Sequence, residues 1–280
     1  MADSNGYGLL KGKKGIIFGA LDERSIAWRI ALACKREGAE FALSNAPIAL
    51  RLGQLDALAE ETGAKIFPCD VSDNDDVAKL MADVKSEYGG IDFILHAIGM
   101  SPNIRKKVEY EDLNYHFFNQ TLDISAISLH KVIHYADKAG ILNDGASIVA
   151  LTFIGAQRIF SKYSDMNDAK ALLESIARNY GSRLADRGIR VNTISQAPTK
   201  TSAGAGITGF DALYTYADKI APLGNPDADE CADYCVTIFS DLTRKVTMQN
   251  LFHDGGFATA GISEEMIFAL TKIYGEEGED

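Results

Sequence analysis

Short apolar runs of strand length alternate with longer amphipathic segments along most of the chain. The apolar runs predict seven strands, at 15–19, 40–44, 65–68, 91–96, 146–151, 189–194 and 249–253. Between them apolar residues recur at helical spacing, as Ile26, Ile30 and Cys34 do after the first strand. This alternation is typical of β-α-β units, in which helices cover both faces of a parallel sheet. The pattern predicts an α/β fold with a doubly wound, parallel, seven-stranded sheet.

Six segments are predicted to be helical. They are 25–37, a segment from about Ala49, 72–88, 114–139, about 162–186 and 227–241. Ser72 and the acidic run 73–76 suit a helix N-terminus, because their oxygens accept hydrogen bonds from free N–H groups and carboxylates are favoured by the helix dipole. Gly38 and Gly188 lie where the first and fifth helices should end.

The alternation of strands and helices fails between Gln196 and Pro226. This stretch mixes glycines with apolar residues, among them Ile207 and Phe210. A long apolar loop in a compact domain is more often a functional cover than a plain connection, and glycines permit hinge-like backbone changes. We therefore expect a lid at about 196–226 that is mobile until a ligand orders it.

Composition and charge exclude several classes of protein. The 280 residues include 39 Asp and Glu against 28 Lys and Arg, a formal net charge of −11. So acidic a chain is repelled by nucleic acid and by anionic lipid. No stretch approaches the roughly 20 apolar residues of a membrane span, and Met1–Gly8 lacks the apolar core of a secretion signal. We expect a cytoplasmic protein that binds neither nucleic acid nor membrane.

No linker divides the chain, so 1–280 is predicted to be one domain with a mobile acidic tail at about 275–280.

The cysteines and histidines do not predict a metal site. The four cysteines form no Cys-x-x-Cys pair, which suits a reducing cytosol. Cys231 and Cys235 lie one helical turn apart, and so do His130 and His134, but neither pair has an obvious third ligand. Ordinary helix faces explain both pairs, and no metal is expected.

Residues that follow three of the predicted strands fit a dinucleotide site. Such a site needs a tight turn after the first strand, where the backbone approaches a pyrophosphate, and then a helix N-terminus with free N–H groups. Four residues occupy that place, namely Gly19, Ala20, Ser25 and Ile26. The usual Gly-x-Gly-x-x-Gly motif is absent, so a plain strand-to-helix turn competes as an explanation. Asp70, Val71 and Ile98 follow other strands at the same carboxyl edge of the sheet, where ligands of open α/β sheets bind.

The end of the second strand bears on the choice of coenzyme. An acidic residue that would bind the adenosine ribose is missing from the stretch Leu43–Pro47, and no Lys or Arg precedes Arg51 there to neutralise a 2′-phosphate. The charge balance therefore favours NAD(H) over NADP(H).

Tyr163 and Lys170 lie seven residues apart in a predicted helix. Seven residues are close to two full turns, so the two side chains should share one helix face. A nearby ammonium would ease the transfer or sharing of the phenolic proton. Tyrosine and lysine also meet at this spacing by chance, and the spacing alone favours a packed tyrosine beside a solvated lysine.

Several short motifs, taken together, resemble the enoyl-acyl-carrier-protein reductases, which belong to the short-chain dehydrogenase/reductase superfamily. They are Gly19-Ala20 followed after four residues by Ser25-Ile26-Ala27, the run His96–Gly99, six residues between Tyr163 and Lys170, and Asp254-Gly255-Gly256-Phe257. Taken in this order, the motifs span nearly the whole chain. The commoner members of the superfamily place only three residues between Tyr and Lys, so the wider spacing is the discriminating mark.

The resemblance implies a Rossmann fold and an enzyme of bacterial type II fatty-acid synthesis. NADH would deliver hydride to the β-carbon of a trans-2-enoyl thioester on acyl carrier protein, Tyr163 would stabilise the enolate, and Lys170 would hold the nicotinamide ribose. It implies cofactor contacts at Gly19, Ala20, Ser25, Ile26, Asp70, Val71, Ile98, Lys170 and Thr199. It places Ser101 and the lid, with Ile207 and Phe210, beside the acyl chain. It also implies a homotetramer, to which the segments 114–139 and 162–186 would supply an interface.

Two positions depart from the family pattern. Phe153 stands where many bacterial members have a second tyrosine, so we expect it to form an apolar wall of the substrate site, and Ala197 replaces a glycine before Pro198. Two other functions stay open on the sequence. A carbonyl or alcohol dehydrogenase of the same superfamily would need a serine before the tyrosine, which Thr152 could imitate, and a non-catalytic nucleotide sensor would need neither Tyr163 nor Lys170.

Overall fold

Seven parallel strands form one sheet in the computed structural model, which describes residues 6–202, 204 and 207–275. The strand order is β3-β2-β1-β4-β5-β6-β7. The strands are β1 (Lys14–Phe18), β2 (Glu40–Ser44), β3 (Lys65–Ile66), β4 (Ile91–His96), β5 (Leu142–Thr152), β6 (Arg190–Gln196) and β7 (Asn250–His253). The predicted seven-stranded parallel sheet is confirmed, and β2 and β4 have the predicted bounds.

Eleven α-helices connect or follow these strands in the described part of the chain. They are α1 (Ile26–Arg36), α2 (Pro47–Leu52), α3 (Leu55–Thr62), α4 (Asn74–Tyr88), α5 (Pro102–Arg105), α6 (Tyr115–Leu122), α7 (Ser128–Lys138), α8 (Met166–Arg183), α9 (Phe210–Ile220), α10 (Ala228–Phe239) and α11 (Glu264–Tyr274). Among the described residues, no helix is both long enough and apolar enough to cross a membrane.

The helices cover both faces of the sheet, as the sequence predicts. Consecutive residues of β1 point to opposite faces, so Ile16 packs with residues of α4, α7 and α8, whereas Ile17 packs with residues of α1, α3 and α10. Both side chains are fully buried. The chain runs from β1 to β2 and β3 on one side and from β4 to β7 on the other. In open α/β sheets such a reversal marks the ligand-binding crevice, which is expected here at the carboxyl ends of β1 and β4.

The helix predicted from about Lys162 begins later than expected. Ser161–Tyr163 form a 3-10 turn and α8 starts at Met166, because Ser164 has φ +46° and ψ −133°, which a helix does not contain. Tyr163 therefore lies before the helix that carries Lys170. The prediction that the two residues share one helix face is wrong.

Other predicted helices differ from the structure in less consequential ways. The segment 114–139 is helical, but a π-helical turn at Asp123–Ile127 separates α6 from α7. The helix predicted from about Ala49 is two short helices that break at Gly53, whose Cβ position lies 2.7 Å from the Leu21 carbonyl oxygen. Tertiary contact with the first turn thus sets this break.

The predicted lid contains a helix that its glycine-rich sequence did not reveal. Helix α9 buries Ala217 and Ile220 in a small cluster with Phe153 and Phe257. Helix α11, which was also not predicted, contacts α9 and buries none of its own residues. Residues 203, 205 and 206 of the lid, the segment 1–5 and nearly all of the predicted tail (276–280) lie outside the described residues.

Candidate active site

The first turn of the crevice requires a glycine at position 19. Gly19 has φ +94°, and a Cβ atom there would collide with the carbonyl oxygen of Ala97, just after β4. Its N–H donates to the Ser44 carbonyl at the end of β2 (3.2 Å). The ends of β1, β2 and β4 therefore meet at Gly19. A backbone without a side chain at such a point leaves room for a close-lying pyrophosphate.

Ser25 organises the turn between β1 and α1 rather than capping the helix. Its Oγ accepts hydrogen bonds from the backbone N–H groups of Leu21 and Asp22, both at 3.0 Å, and donates to the Asp22 carbonyl. No side chain caps α1, whose first residue is Ile26. The free N–H groups of its first turn suit an anion, and next to Gly19 and the buried Ala20 they fit a dinucleotide.

The other predicted cofactor residues reach the same edge of the sheet, but their polar side chains bond within their own loops. Asp70 accepts hydrogen bonds from the Ser72 N–H (2.9 Å) and hydroxyl (2.6 Å). Thr199 donates to the Ala197 carbonyl (3.0 Å) and accepts from the Gln196 amide (3.1 Å). Val71 is buried and Ile98 is half-buried, and both pack against the α4 layer. These residues therefore lie at the edge of the sheet where ligands of open α/β sheets bind.

The end of β2, where an adenosine ribose would lie, carries no charge. The Asn45 amide donates to the Ala20 carbonyl (2.9 Å) and so joins β2 to the first turn. Among the residues from Ser44 to Pro47 there is no cation that would neutralise a 2′-phosphate, and Arg51 is exposed on α2. The surroundings suit an unphosphorylated ribose better than a phosphorylated one.

Tyr163 is held by aromatic contacts at the end of β5. Its ring packs edge-to-face on Phe153, with the ring centroids 5.0 Å apart and the planes at 68°. Phe153 is 8% exposed and also contacts Phe160. Burial raises the pKa of Tyr163 above its usual value, so the phenol keeps its proton at neutral pH.

Lys170 approaches the same strand end from α8. It is 7% exposed, and its Nζ donates to the Leu151 carbonyl at 2.8 Å. Burial lowers the pKa of Lys170 to about 8, and the charge of Glu174 opposes this shift. Leu151 and Phe153 are two residues apart, so Tyr163 and Lys170 both contact the end of β5 although they do not share a helix.

Two buried groups near Lys170 were not predicted as site residues from the sequence. The first is Glu174, one helical turn after Lys170, which accepts hydrogen bonds from the Thr152 hydroxyl (3.1 Å) and the Gln157 amide (3.4 Å). Burial raises its pKa. The i, i+4 spacing of an acid and a base on one helix was the available signal.

The second missed group is His96, at the end of β4. Its Nε2 lies 2.8 Å from the Ser128 hydroxyl, which itself donates to the Ile124 carbonyl (2.6 Å), so the imidazole proton lies on Nε2. Burial, with the nearby charge of Lys170, lowers the pKa of His96 to about 3. The imidazole is therefore neutral. The available signal in the sequence was the position of His96 at the end of the predicted fourth strand.

The predicted substrate residues lie in two segments, the loop after β4 and the start of α9. Ser101 is buried, and its hydroxyl donates to Asp165 Oδ1 at 2.7 Å. Ile207 and Phe210 are half-buried at the start of α9, whose later residues pack with Phe153. Tyr163 itself packs in that apolar cluster, and Asp165, which was not predicted from the sequence, fixes the loop at Ser101.

Comparisons with known proteins agree on one family. The family model described as enoyl-(acyl carrier protein) reductase matches residues 19–258. The enoyl-[acyl-carrier-protein] reductase [NADH] 1 of Rhizobium meliloti is 37% identical, over 91% of this chain and 93% of the relative. A crystal structure of the FabI-NADH complex from Alistipes finegoldii has 49% identity and a TM-score of 0.91, over 98% of this chain and 94% of the other. The Bacillus cereus enoyl-acyl carrier protein reductase with NADP+ has 32% identity and a TM-score of 0.85, over 91% and 99%. The chain belongs to the enoyl-(acyl carrier protein) reductase family.

Proposed function

We propose that this protein reduces the trans-2 double bond of enoyl thioesters carried on acyl carrier protein, with NADH, to give saturated acyl thioesters in the last step of the fatty-acid elongation cycle. The observation that carries the proposal is the placement of Tyr163 and Lys170 at the end of β5, on the crevice that fits a dinucleotide. The resemblance of the sequence and the names of the relatives support the same reaction.

The two side chains have distinct roles in this proposal. NADH, when bound, supplies the hydride. The Tyr163 phenol, kept protonated by burial, donates a hydrogen bond to the thioester oxygen, on which negative charge develops as the β-carbon is reduced. The Lys170 ammonium binds the ribose hydroxyls and contributes positive charge near the same oxygen. Phe153 fixes the orientation of the phenol by its edge-to-face contact.

The remaining site residues are assigned by their position. We assign to NADH the turn and crevice residues Gly19, Ala20, Ser25, Ile26, Asp70, Val71, Ile98 and Thr199. We assign Ile207, Phe210 and Phe153 to the acyl chain, because apolar side chains suit an alkyl group. For Ser101 we assign the backbone rather than the hydroxyl, since the hydroxyl is bonded to Asp165.

The structure weakens the case for a carbonyl or alcohol dehydrogenase. That reaction would use the Thr152 hydroxyl beside Tyr163, but Thr152 is 4% exposed and donates to Glu174. A hydroxyl that is already bonded inside the α8 layer is poorly placed for a substrate carbonyl. The enoyl reductase is therefore the better account of the site.

A spectrophotometric assay tests the proposal. We expect crotonyl thioester to cause loss of NADH absorbance, and the same thioester on acyl carrier protein to be turned over more efficiently. Ketones and alcohols serve as the comparison substrates. Turnover with these alone would support the dehydrogenase, and no turnover with any of them would support a nucleotide sensor.

We also propose that the protein is a cytoplasmic, single-domain homotetramer. Helices α6, α7 and α8 offer long surfaces for an interface, and α6 carries the exposed Tyr115. Light scattering after size exclusion should give four times the chain mass of 30.3 kDa. A monomeric mass at assay concentration would contradict the assembly but not the reaction.

A further inference from the structure

The carboxylate of Asp165 is completely buried two residues after Tyr163, with three neutral hydrogen-bond donors. Oδ1 accepts from the Ser101 hydroxyl at 2.7 Å, and Oδ2 accepts from the Asn103 amide at 2.9 Å. The Thr121 hydroxyl lies 2.9 Å from Oδ2 and 3.0 Å from the Phe117 carbonyl, and its single proton favours the charged acceptor. Asp165 is 0% exposed. No lysine or arginine in the described part of the chain pairs with it. Burying an ion without a counter-ion is unfavourable unless its hydrogen bonds are well formed, which the three short bonds provide.

Asp165 does not do what an aspartate at a helix start ordinarily does. It occupies the N-cap position of α8, yet its side chain accepts no hydrogen bond from the first turn of that helix. In contrast, Asp73 and Asp227 at the starts of α4 and α10 both cap their helices. Helix α8 therefore has no side-chain N-cap, and the Asp165 carboxylate accepts hydrogen bonds from residues far away in the sequence instead.

The three donors lie in the segment that follows β4, far from Tyr163 in the sequence. Ser101 lies in the loop after β4, Asn103 lies in α5 and Thr121 lies in α6. The Ser101 oxygen accepts a hydrogen bond from the Ile104 N–H (3.0 Å), so the serine proton is directed to Asp165. One carboxylate therefore ties the segment that carries Tyr163 to the loop that follows the cofactor strand β4.

The backbone between Tyr163 and Asp165 contains a strained residue, Ser164. Ser164 is not glycine but has φ +46°, a conformation that side chains with a Cβ atom disfavour. Its hydroxyl is buried without a hydrogen-bond partner in the described residues. Strained residues of this kind persist only where surrounding contacts hold them. The Asn167 amide holds one side of this turn by donating to the Ser164 (3.0 Å) and Phe160 (3.1 Å) carbonyls, and the bonds of Asp165 tie its other side to the loop after β4.

We propose that Asp165 is a positioning residue for the reduction: it touches neither substrate nor cofactor, but it holds the Tyr163 hydroxyl in register with the loop at Ser101. This inference rests on the proposed function. It predicts that the effect of Asp165 on turnover passes through the phenol of Tyr163. A substitution of Asp165 should then lower turnover only in protein that has the Tyr163 hydroxyl.

A double-mutant cycle tests this coupling. Asp165→Asn places an amide N–H against one of the three donors, and we expect kcat to fall about tenfold while the NADH dissociation constant changes less than about twofold. In the Tyr163→Phe background, Asp165→Asn should cause no further loss of kcat. Asp186→Asn, the same change at an exposed position just after α8, is the control and should leave kcat unchanged.

Additive losses in the cycle would overturn the inference, because a general structural defect lowers the residual activity of Tyr163→Phe as well. An unchanged kcat for Asp165→Asn would overturn it too. If Asp165→Asn does not fold, Thr121→Val removes one donor and keeps the carboxylate, and it should show the same non-additivity with a smaller loss. Wild-type protein without turnover on crotonyl thioester refutes the proposed function itself, whereas an active wild type with an additive cycle refutes only the role of Asp165.

Discussion

Burial acts in opposite directions on the pKa values of the two polar residues at the end of β5, and for the same reason. A poorly solvated site disfavours charge, so the pKa of Tyr163 rises and the pKa of Lys170 falls to about 8. The phenol therefore remains a donor over the whole physiological range. The ammonium is much closer to losing its proton than an exposed lysine would be.

Replacing Tyr163 by Phe should lower kcat on the order of a hundredfold and change KM little, because the phenol donor acts on charge that appears only in the transition state. Phe153→Tyr should leave turnover within roughly tenfold, since the ring at this position only packs against Tyr163. Steady-state kinetics of both variants check this. The assignment of roles is wrong if Tyr163→Phe keeps near-normal kcat while Phe153→Tyr abolishes it.

The reaction should also weaken as the pH rises through about 8. The pKa of Lys170 is lowered, so the ammonium is present below about 8 and is lost above it. We expect kcat/KM for NADH, which reports groups of the free enzyme, to fall about tenfold or more across this range. The measurement is a pH profile of wild type beside Lys170→Met. The variant should have low activity and no such decrease, and a wild-type profile that stays flat well above pH 8 would contradict the assignment.

At the scale of secondary structure, the two halves of α9 differ in how deeply their apolar side chains are buried. Its second half buries Ala217 and Ile220, whereas Phe210, Leu213 and Tyr214 in its first half remain half-buried. The first half therefore has apolar surface left to cover an acyl chain. That the lid is mobile without ligand and becomes ordered over the substrate stays a prediction, which hydrogen exchange with and without NADH and an enoyl ligand would measure.

Phe210→Ser should raise KM for long-chain enoyl thioesters by up to about thirtyfold, because burying a phenyl ring against an acyl chain is worth about 2 kcal/mol. The KM for crotonyl thioester, with its short chain, should change little. Leu223→Ser is the matched control, since Leu223 lies in the same segment but is 90% exposed. Equal effects of the two substitutions on KM would show that Phe210 does not contact the acyl chain.

At the scale of the whole molecule, charge bears on the coenzyme. The chain has a net charge of −11, and the end of β2 adds no cation near a 2′-phosphate. Family membership does not decide the matter, because the relatives include proteins named for NADH and one crystallised with NADP+. The local residues and the overall charge both favour NADH.

We therefore expect kcat/KM to be higher with NADH than with NADPH, and Ala46→Arg at the start of α2 to raise the efficiency with NADPH. A guanidinium at this position can pair with a 2′-phosphate. Ala185→Arg, which adds the same charge at an exposed position after α8, should leave the coenzyme ratio unchanged. A wild type that prefers NADPH would contradict the prediction, and an equal shift by both variants would show that only net charge matters.

The sequence by itself determined the sheet and the helices that cover it. Strand and helix periodicities are local, so β2 and β4 were predicted with their observed bounds and α1 within a residue at each end. The sequence also indicated the family, because its short motifs lie at the ends of strands whose order the fold preserves. Helix α11 was not predicted, although Ser263 caps it and Glu264 and Glu265 follow in its first turn.

Only the tertiary structure decided how the site is assembled. Tyr163 and Lys170 both contact the end of β5, through Phe153 and Leu151 respectively, and not through a common helix face. The carboxylate of Asp165 bonds to residues 44 to 64 positions earlier in the chain. A buried polar group is stable only where the fold brings donors to it, and periodicity contains no information about partners so far apart. The sequence could therefore name the proposed catalytic pair, whereas the contacts that hold each residue in place depended on the folded chain.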